Sequence, residues 1–95
     1  MKTLTVEVTQ HDIDMGHQCS SGYCPIANAL DRVAVPAGCF FTVGTRSASL
    51  KRLDRDGPLT LEDAMLPKHA REFVTEFDRY KSGTPFTFEI TFERL

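Results

Sequence analysis

The sequence predicts an α+β domain in the order β-α-β-β-α-β, an antiparallel four-stranded sheet with two helices on one face, a ferredoxin-like arrangement. Three observations predict it. Strand-length segments carry apolar residues on one face only, as a sheet with one solvated side requires. Two further segments repeat apolar residues at three- and four-residue steps, the period of a helix. The chain has 95 residues, enough for one core but not two. In the usual strand order for this arrangement, 4-1-3-2, the first and last strands pair and the third lies beside the first.

The first strand runs from about Thr3 to Thr9, with Leu4, Val6 and Val8 inward and Thr3, Thr5, Glu7 and Thr9 outward. Thr9-Gln10-His11-Asp12 then carries a helix-start signal. The Thr9 hydroxyl can accept from the amide three residues on, while Asp12 answers back and favours the positive helix end. A single helical turn over residues 10–15, stopped by Gly16, and an irregular loop over 17–23 follow. Pro25 opens the first main helix, whose apolar stripe is Ile26, Ala27, Leu30, Val33 and Ala34, ended by Pro36 and Gly38.

Residues 39–43 and 47–53 read as the arms of a hairpin around Gly44-Thr45-Arg46. Alternation in the second arm fails after Leu50, which predicts a bulge or a strand end near Lys51. Residues 54–58 read as a solvated turn and Thr60-Leu61-Glu62-Asp63 as a short helical turn. The long helix runs from Pro67 to about Ser82. Leu66, Ala70, Phe73, Val74, Phe77 and Tyr80 form its inner stripe, Lys68 and Glu72 sit one turn apart outside, and Gly83 and Pro85 stop it. Phe86 to Phe92 is the closing strand. Pairing of the first and last strands brings Glu7 near Glu89, with Lys51 of the third strand placed to offset the acidic density.

Charge and composition narrow the function classes. Eleven Lys and Arg against thirteen Asp and Glu give a net charge of −2, which offers no general attraction to phosphate backbones or anionic lipid. No apolar run approaches the length of a membrane span or a signal peptide, and three cysteines are too few for a disulfide scaffold. The expected compartment is the cytoplasm. No phosphate-binding Gly-rich loop, Ser-His-Asp set or zinc-protease motif occurs.

Reactive side chains concentrate between residues 11 and 24. His17, Cys19 and Cys24 offer three metal ligands with Cys39 or His11 as a fourth, although paired short spacings of the usual zinc motifs are missing. Zinc is the one cofactor the cluster would suit; none is otherwise expected. A cysteine at a helix start, as Cys24 is, can have its thiolate stabilised, and Cys19 and Cys24 can be read as a redox pair. Against this, Cys24 and Cys39 suit small core positions, and capping explains Asp12 better than a cation at Asp12 and Asp14 does. The basic cluster Arg46, Lys51, Arg52 and Arg55 is interrupted by Asp54 and Asp56 and reads as a solvated hairpin edge. Single-stranded nucleic acid on the sheet would need outward aromatic residues, whereas Phe86, Phe88 and Phe92 point inward.

Three stretches carry a resemblance. Thr9-Gln10-His11-Asp12-Ile13-Asp14-Met15-Gly16 is a turn closed by glycine. Cys24-Pro25-Ile26-Ala27-Asn28-Ala29-Leu30 is a helix start. Phe73-Val74-Thr75-Glu76-Phe77-Asp78 leads to the closing Pro85-Phe86-Thr87-Phe88-Glu89-Ile90. In this order they resemble a family of small, uncharacterised proteins encoded by tailed bacteriophages and prophages. The Cys19 to Cys24 spacing is wider than the pair that family would place before its Cys-Pro step. The resemblance implies a non-enzymatic accessory protein that binds a host or phage protein, as anti-defence proteins such as anti-CRISPRs do. The expected contact residues are Glu7, Glu89, Thr91 and Glu93 on the outer sheet face and Arg46 and Lys51 on the hairpin, with the charged face of the long helix as another surface. Sheet edges could also form a homodimer. The alternative is a metal- or thiol-dependent protein using the 11–24 loop.

Overall fold

The computed structural model describes residues 1–33 and 36–95. Its elements are β1 (Lys2–Val8), α1 (Gln10–Met15), α2 (Pro25–Val33), β2 (Cys39–Val43), β3 (Ser47–Asp54), β4 (Gly57–Met65), α3 (Lys68–Tyr80) and β5 (Phe86–Phe92). They form two antiparallel sheets, β1-β5 and β2-β3-β4, whose apolar faces share one core with the helices. The radius of gyration is 12.5 Å.

The ferredoxin-like sheet is therefore not formed, and β4 is the reason. Residues 57–65, expected as a turn and a helical start, extend into a strand that pairs with β3 at every position but Leu61, which the register shift skips. β3 has β2 on one side and β4 on the other, so the edge that β1 would have taken is filled. β1 keeps its expected partner β5 and the pair becomes a separate ribbon. Phe41 of β2 and Phe92 of β5, their ring centroids 5.4 Å apart, join the two sheets inside the core.

The expected irregularity in β3 is present as a register shift between Leu50 and Lys51. Past it the strand continues to Asp54, and a tight turn with Gly57 at φ 114° starts β4.

Helix boundaries follow local chemistry. Thr9 and Asp12 form the expected reciprocal cap of α1: Asp12 N–H donates to the Thr9 hydroxyl at 3.2 Å, and Thr9 N–H donates to Asp12 Oδ2 at 2.9 Å. Pro25 is the first residue of α2, and the Cys24 sulfur accepts from the Ala27 amide at 3.5 Å in the manner of a cap. Val33, expected in the apolar stripe, is 40% exposed, and Ala34 lies outside the described residues. Pro67 is the N-cap of α3 instead of its first turn, and the helix ends two residues before Ser82, with Lys81 in a left-handed conformation donating to the Phe77 carbonyl at 2.8 Å. Tyr80, at 65% exposure, is not part of the buried stripe. Lys68 and Glu72 do meet, at 3.8 Å.

Candidate binding surface

The outer face of the β1-β5 ribbon is built by strict alternation. Leu4, Val6 and Val8 are buried, as are Phe88, Ile90 and Phe92, so the residues between them must face away from the core. Thr3, Thr5 and Glu7 are exposed opposite Thr91, Glu89 and Thr87 respectively. The Thr3 and Thr91 hydroxyls share a hydrogen bond at 2.8 Å. Glu7 and Glu89 are diagonal cross-strand neighbours, a relationship that places side chains ~7 Å apart. The face carries two carboxylates and four threonines and, among the described residues of these strands, no cation; Lys2, the one cation of the two strands, falls on the other face by alternation. Lys51 does not offset this charge, because β3 belongs to the other sheet.

Glu93 follows β5 directly, where its backbone is held by a residue the sequence did not single out. The Glu62 carboxylate on β4 accepts from the amides of Glu93 and Arg94 at 2.7 and 2.9 Å, tying the end of the ribbon to the second sheet. Arg46 sits at the tip of the β2-β3 hairpin, and its carbonyl accepts from the Leu66 amide at 2.9 Å. Lys51 is half-buried on β3 between Phe40 and Thr60. Arg52 lies 4.0 Å from Asp54 Oδ2, so the basic cluster is partly answered by its own acidic neighbour. Arg46 and Lys51 thus belong to the hairpin sheet and not to the surface of Glu7, Glu89 and Thr91.

The 17–23 loop is anchored. The Gln18 side-chain amide donates to the carbonyls of Phe77 and Asp78 at 3.3 and 3.1 Å, and the Cys19 amide donates to Asp78 Oδ1 at 2.9 Å. The bond to Asp78 supplies a partner to a carbonyl of the last turn of α3, and the one to Phe77 adds to the bond that carbonyl already accepts from the Lys81 amide. The Val43 amide donates to the Ser21 carbonyl at 2.8 Å, which fastens the loop to β2 as well.

That anchoring separates the expected metal ligands. His17 lines a groove of about 380 Å³ with His11, Met15, Tyr23 and Asn28. Cys19 and Cys24 border a different crevice of about 170 Å³ beside Asp78. Cys39 stands on β2 opposite Arg52. Among the described residues no three His, Cys, Asp or Glu side chains gather as a metal-holding group. Cys19 is exposed and Cys24 buried, and all three cysteines are free thiols. Burial pushes the Cys24 thiol up, against smaller opposing effects of the Ala27 and Ile26 amides. A thiol in that position is a poor nucleophile.

The carboxyl of Asp12 is engaged in holding the fold. It receives a two-pronged contact from Arg32, Nη1 to Oδ1 at 2.5 Å and Nη2 to Oδ2 at 2.9 Å, and Arg32 Nη2 also donates to the Glu7 carbonyl at 2.7 Å. Burial alone would raise the Asp12 pKa, but the bonds from Arg32 and Thr9 together with the Arg32 charge leave it below the ordinary value. Asp14 instead accepts from the Gln10 amide group at 2.9 Å, so the two aspartates do not share a cation. Asp31 accepts from the Phe41 amide at 3.2 Å on the outer edge of β2; burial, which outweighs that bond, raises its pKa.

Comparison with known protein families, curated proteins and solved structures gives no match to this chain. No helix of the described residues is long and apolar enough to cross a membrane.

Proposed function

We propose that this chain is a non-catalytic binding protein that acts by covering a surface of another protein with the outer face of β1 and β5. The observation that carries the reading is the register of that ribbon, which assembles Glu7, Glu89, Thr87 and Thr91 from opposite ends of the chain into one exposed acidic face. Four of its six residues are threonines, whose short branched side chains lose little rotamer freedom on contact, so the face is preorganised for association. The motif resemblance adds a context to this reading: an accessory protein of a tailed phage or prophage that occupies a host or phage protein, an anti-defence role among them.

The test is affinity capture from bacterial lysate with the wild-type chain and a Glu7→Lys, Glu89→Lys double variant. A partner held by the wild type and lost by the variant, with thermal stability unchanged, supports the face. Equal capture by both discards it.

A further inference from the structure

We infer that the open edge of β1 receives an extended, lysine- or arginine-bearing strand of the partner, so that the acidic face is continued by strand addition. The inference rests on the binding-face reading and specifies how that face is engaged.

The backbone direction at the edge follows from three independent contacts. In an antiparallel pair, residues opposite each other alternate between exchanging main-chain bonds and pointing those groups away. The Glu7 carbonyl is taken by Arg32 Nη2 at 2.7 Å, outside the ribbon. Its cross-strand partner Thr87 has its carbonyl taken by His69 Nε2 at 3.1 Å, outside the ribbon on the other side. The Glu7–Thr87 pair is therefore one whose main-chain groups point outward. Two steps along, Thr5–Glu89 and then Thr3–Thr91 have the same character. The direct hydroxyl contact between Thr3 and Thr91 agrees, because side chains stand closest in such pairs.

Thr3, Thr5 and Glu7 thus aim their amides, and Thr3 and Thr5 their carbonyls, away from β5. Among the described residues none of these groups has a protein hydrogen-bond partner. Main-chain groups left so are satisfied by water or by an added strand.

The other strand edges are treated differently. On β2, the outward amides of Cys39, Phe41 and Val43 donate to the Pro36 carbonyl, the Asp31 carboxylate and the Ser21 carbonyl. β4 carries Pro58 and the register shift, both devices that spoil pairing. The outer edge of β5 is held at both ends, by His69 at Thr87 and by Glu62 at Glu93 and Arg94, which leaves only Glu89 and Thr91 between them, whereas β1 is held at one end only, by Arg32 at the Glu7 carbonyl. β1 is left as a template about five residues long, ~17 Å at the usual strand rise.

Charge selects the occupant. A strand laid antiparallel on Thr3–Glu7 would place alternate side chains on the same outer face as Glu7 and Glu89. Lysine or arginine there meets two carboxylates, neither in a salt bridge among the described residues; Arg32, whose charge reaches Glu7, is committed to Asp12 and to the Glu7 carbonyl. A second copy of this chain would instead bring another Glu7 and Glu89 to the same face, doubling its negative charge. A basic strand is therefore the partner this edge fits.

The experiment uses the intact chain and three synthetic peptides: one alternating lysine with valine, one alternating glutamate with valine, and the lysine peptide N-methylated at alternate residues so that it cannot donate main-chain bonds. Binding is read by fluorescence anisotropy and by amide shifts in NMR spectra, with self-association followed by sedimentation. Expected are binding of the lysine peptide, shifts centred on Thr3, Thr5 and Glu7, no binding of the glutamate peptide, and a loss of about tenfold or more on N-methylation. Equal binding of the N-methylated peptide overturns strand addition while leaving the acidic face intact. Absence of lysine-peptide binding, beside a captured protein that still depends on Glu7 and Glu89, also overturns it without touching the binding-face reading. A dimer with contacts between two β1 strands assigns the edge to a second copy and overturns the basic-strand inference.

Discussion

Arg32 near the end of α2 grips the buried carboxylate of Asp12 in α1 through both oxygens, and the same guanidinium holds the Glu7 carbonyl of β1. One side chain thereby fixes the relative placement of three elements. Asp12 is only 3% exposed, whereas Arg32 is 48% exposed, so water screens the cationic half of the pair. Removing the carboxylate also removes its half of the α1 capping box, the bond it accepts from the Thr9 N–H. Asp12→Ala is expected to lower stability by about 2 kcal/mol and Arg32→Ala by about 1 kcal/mol, measured by urea denaturation. The pH dependence has a definite sign. Because the folded state holds the Asp12 pKa below its unfolded value, the associated stability is fully present above that unfolded value and is lost as pH falls through the folded one. The difference between wild type and Asp12→Ala should shrink in acid; a difference that grows there would refute the assignment.

Gly16 stands where the 17–23 loop leaves α1, and the Pro25 ring fills the space beside it. A Cβ on residue 16 would lie 2.6 Å from both Pro25 Cγ and Cδ, closer than atoms can approach without moving. The proline ring is rigid and begins α2, so the clash cannot be relieved by a rotamer change. Gly16→Ala should cost about 1–3 kcal/mol by overpacking, seen as a lowered melting temperature. Gly22, with open space around its Cβ position, provides the control: Gly22→Ala should leave stability within about 0.5 kcal/mol.

How far these features can be read in the sequence depends on whether the signal is local. The alternation of β1 and β5 and the Thr9–Asp12 cap are written in neighbouring residues, and they form as expected. β4 is hidden because it lies at an edge and buries little: Pro58, Leu59 and Thr60 are exposed, Ala64 is its one buried residue, and the register shift breaks the alternation of its apolar residues. Thr60-Leu61-Glu62-Asp63 matches a helix start locally, but pairing with β3 overrides that preference. The Arg32–Asp12 and Gln18–α3 contacts join segments far apart in sequence, and no spacing rule relates them. The exposed face of Glu7 and Glu89 is legible because it needs only alternation and the pairing of first and last strands, whereas the place of Lys51 depends on the third strand and so changes with β4.

Lys81 closes α3 with φ 53° and ψ 34°, a left-handed conformation that crowds any Cβ. Its N–H bond to Phe77 is a main-chain interaction that glycine preserves. Relief of crowding outweighs the larger conformational freedom that glycine brings to the unfolded chain. Lys81→Gly is therefore expected to stabilise the protein by about 0.5–1 kcal/mol, raising the urea midpoint without changing the slope of the transition. A lowered midpoint would mean that the lysine side chain contributes more than its conformation costs.

The thiols offer a chemical test of the loop. Cys24 is 5% exposed, its sulfur accepts from the Ala27 amide, and burial raises its pKa, all of which oppose thiolate formation and access. Cys19 is exposed on the same crevice. With iodoacetamide at neutral pH, Cys19 should be modified first and Cys24 only at the rate at which the loop or the whole domain opens. Peptide mass spectrometry over time resolves the two sites. Adding urea below the unfolding midpoint should accelerate Cys24 labelling much more than Cys19 labelling, because only Cys24 requires opening. Rapid labelling of Cys24 in the native protein, matching Cys19, would show that its thiol is accessible and reactive and would return it to consideration as a nucleophile.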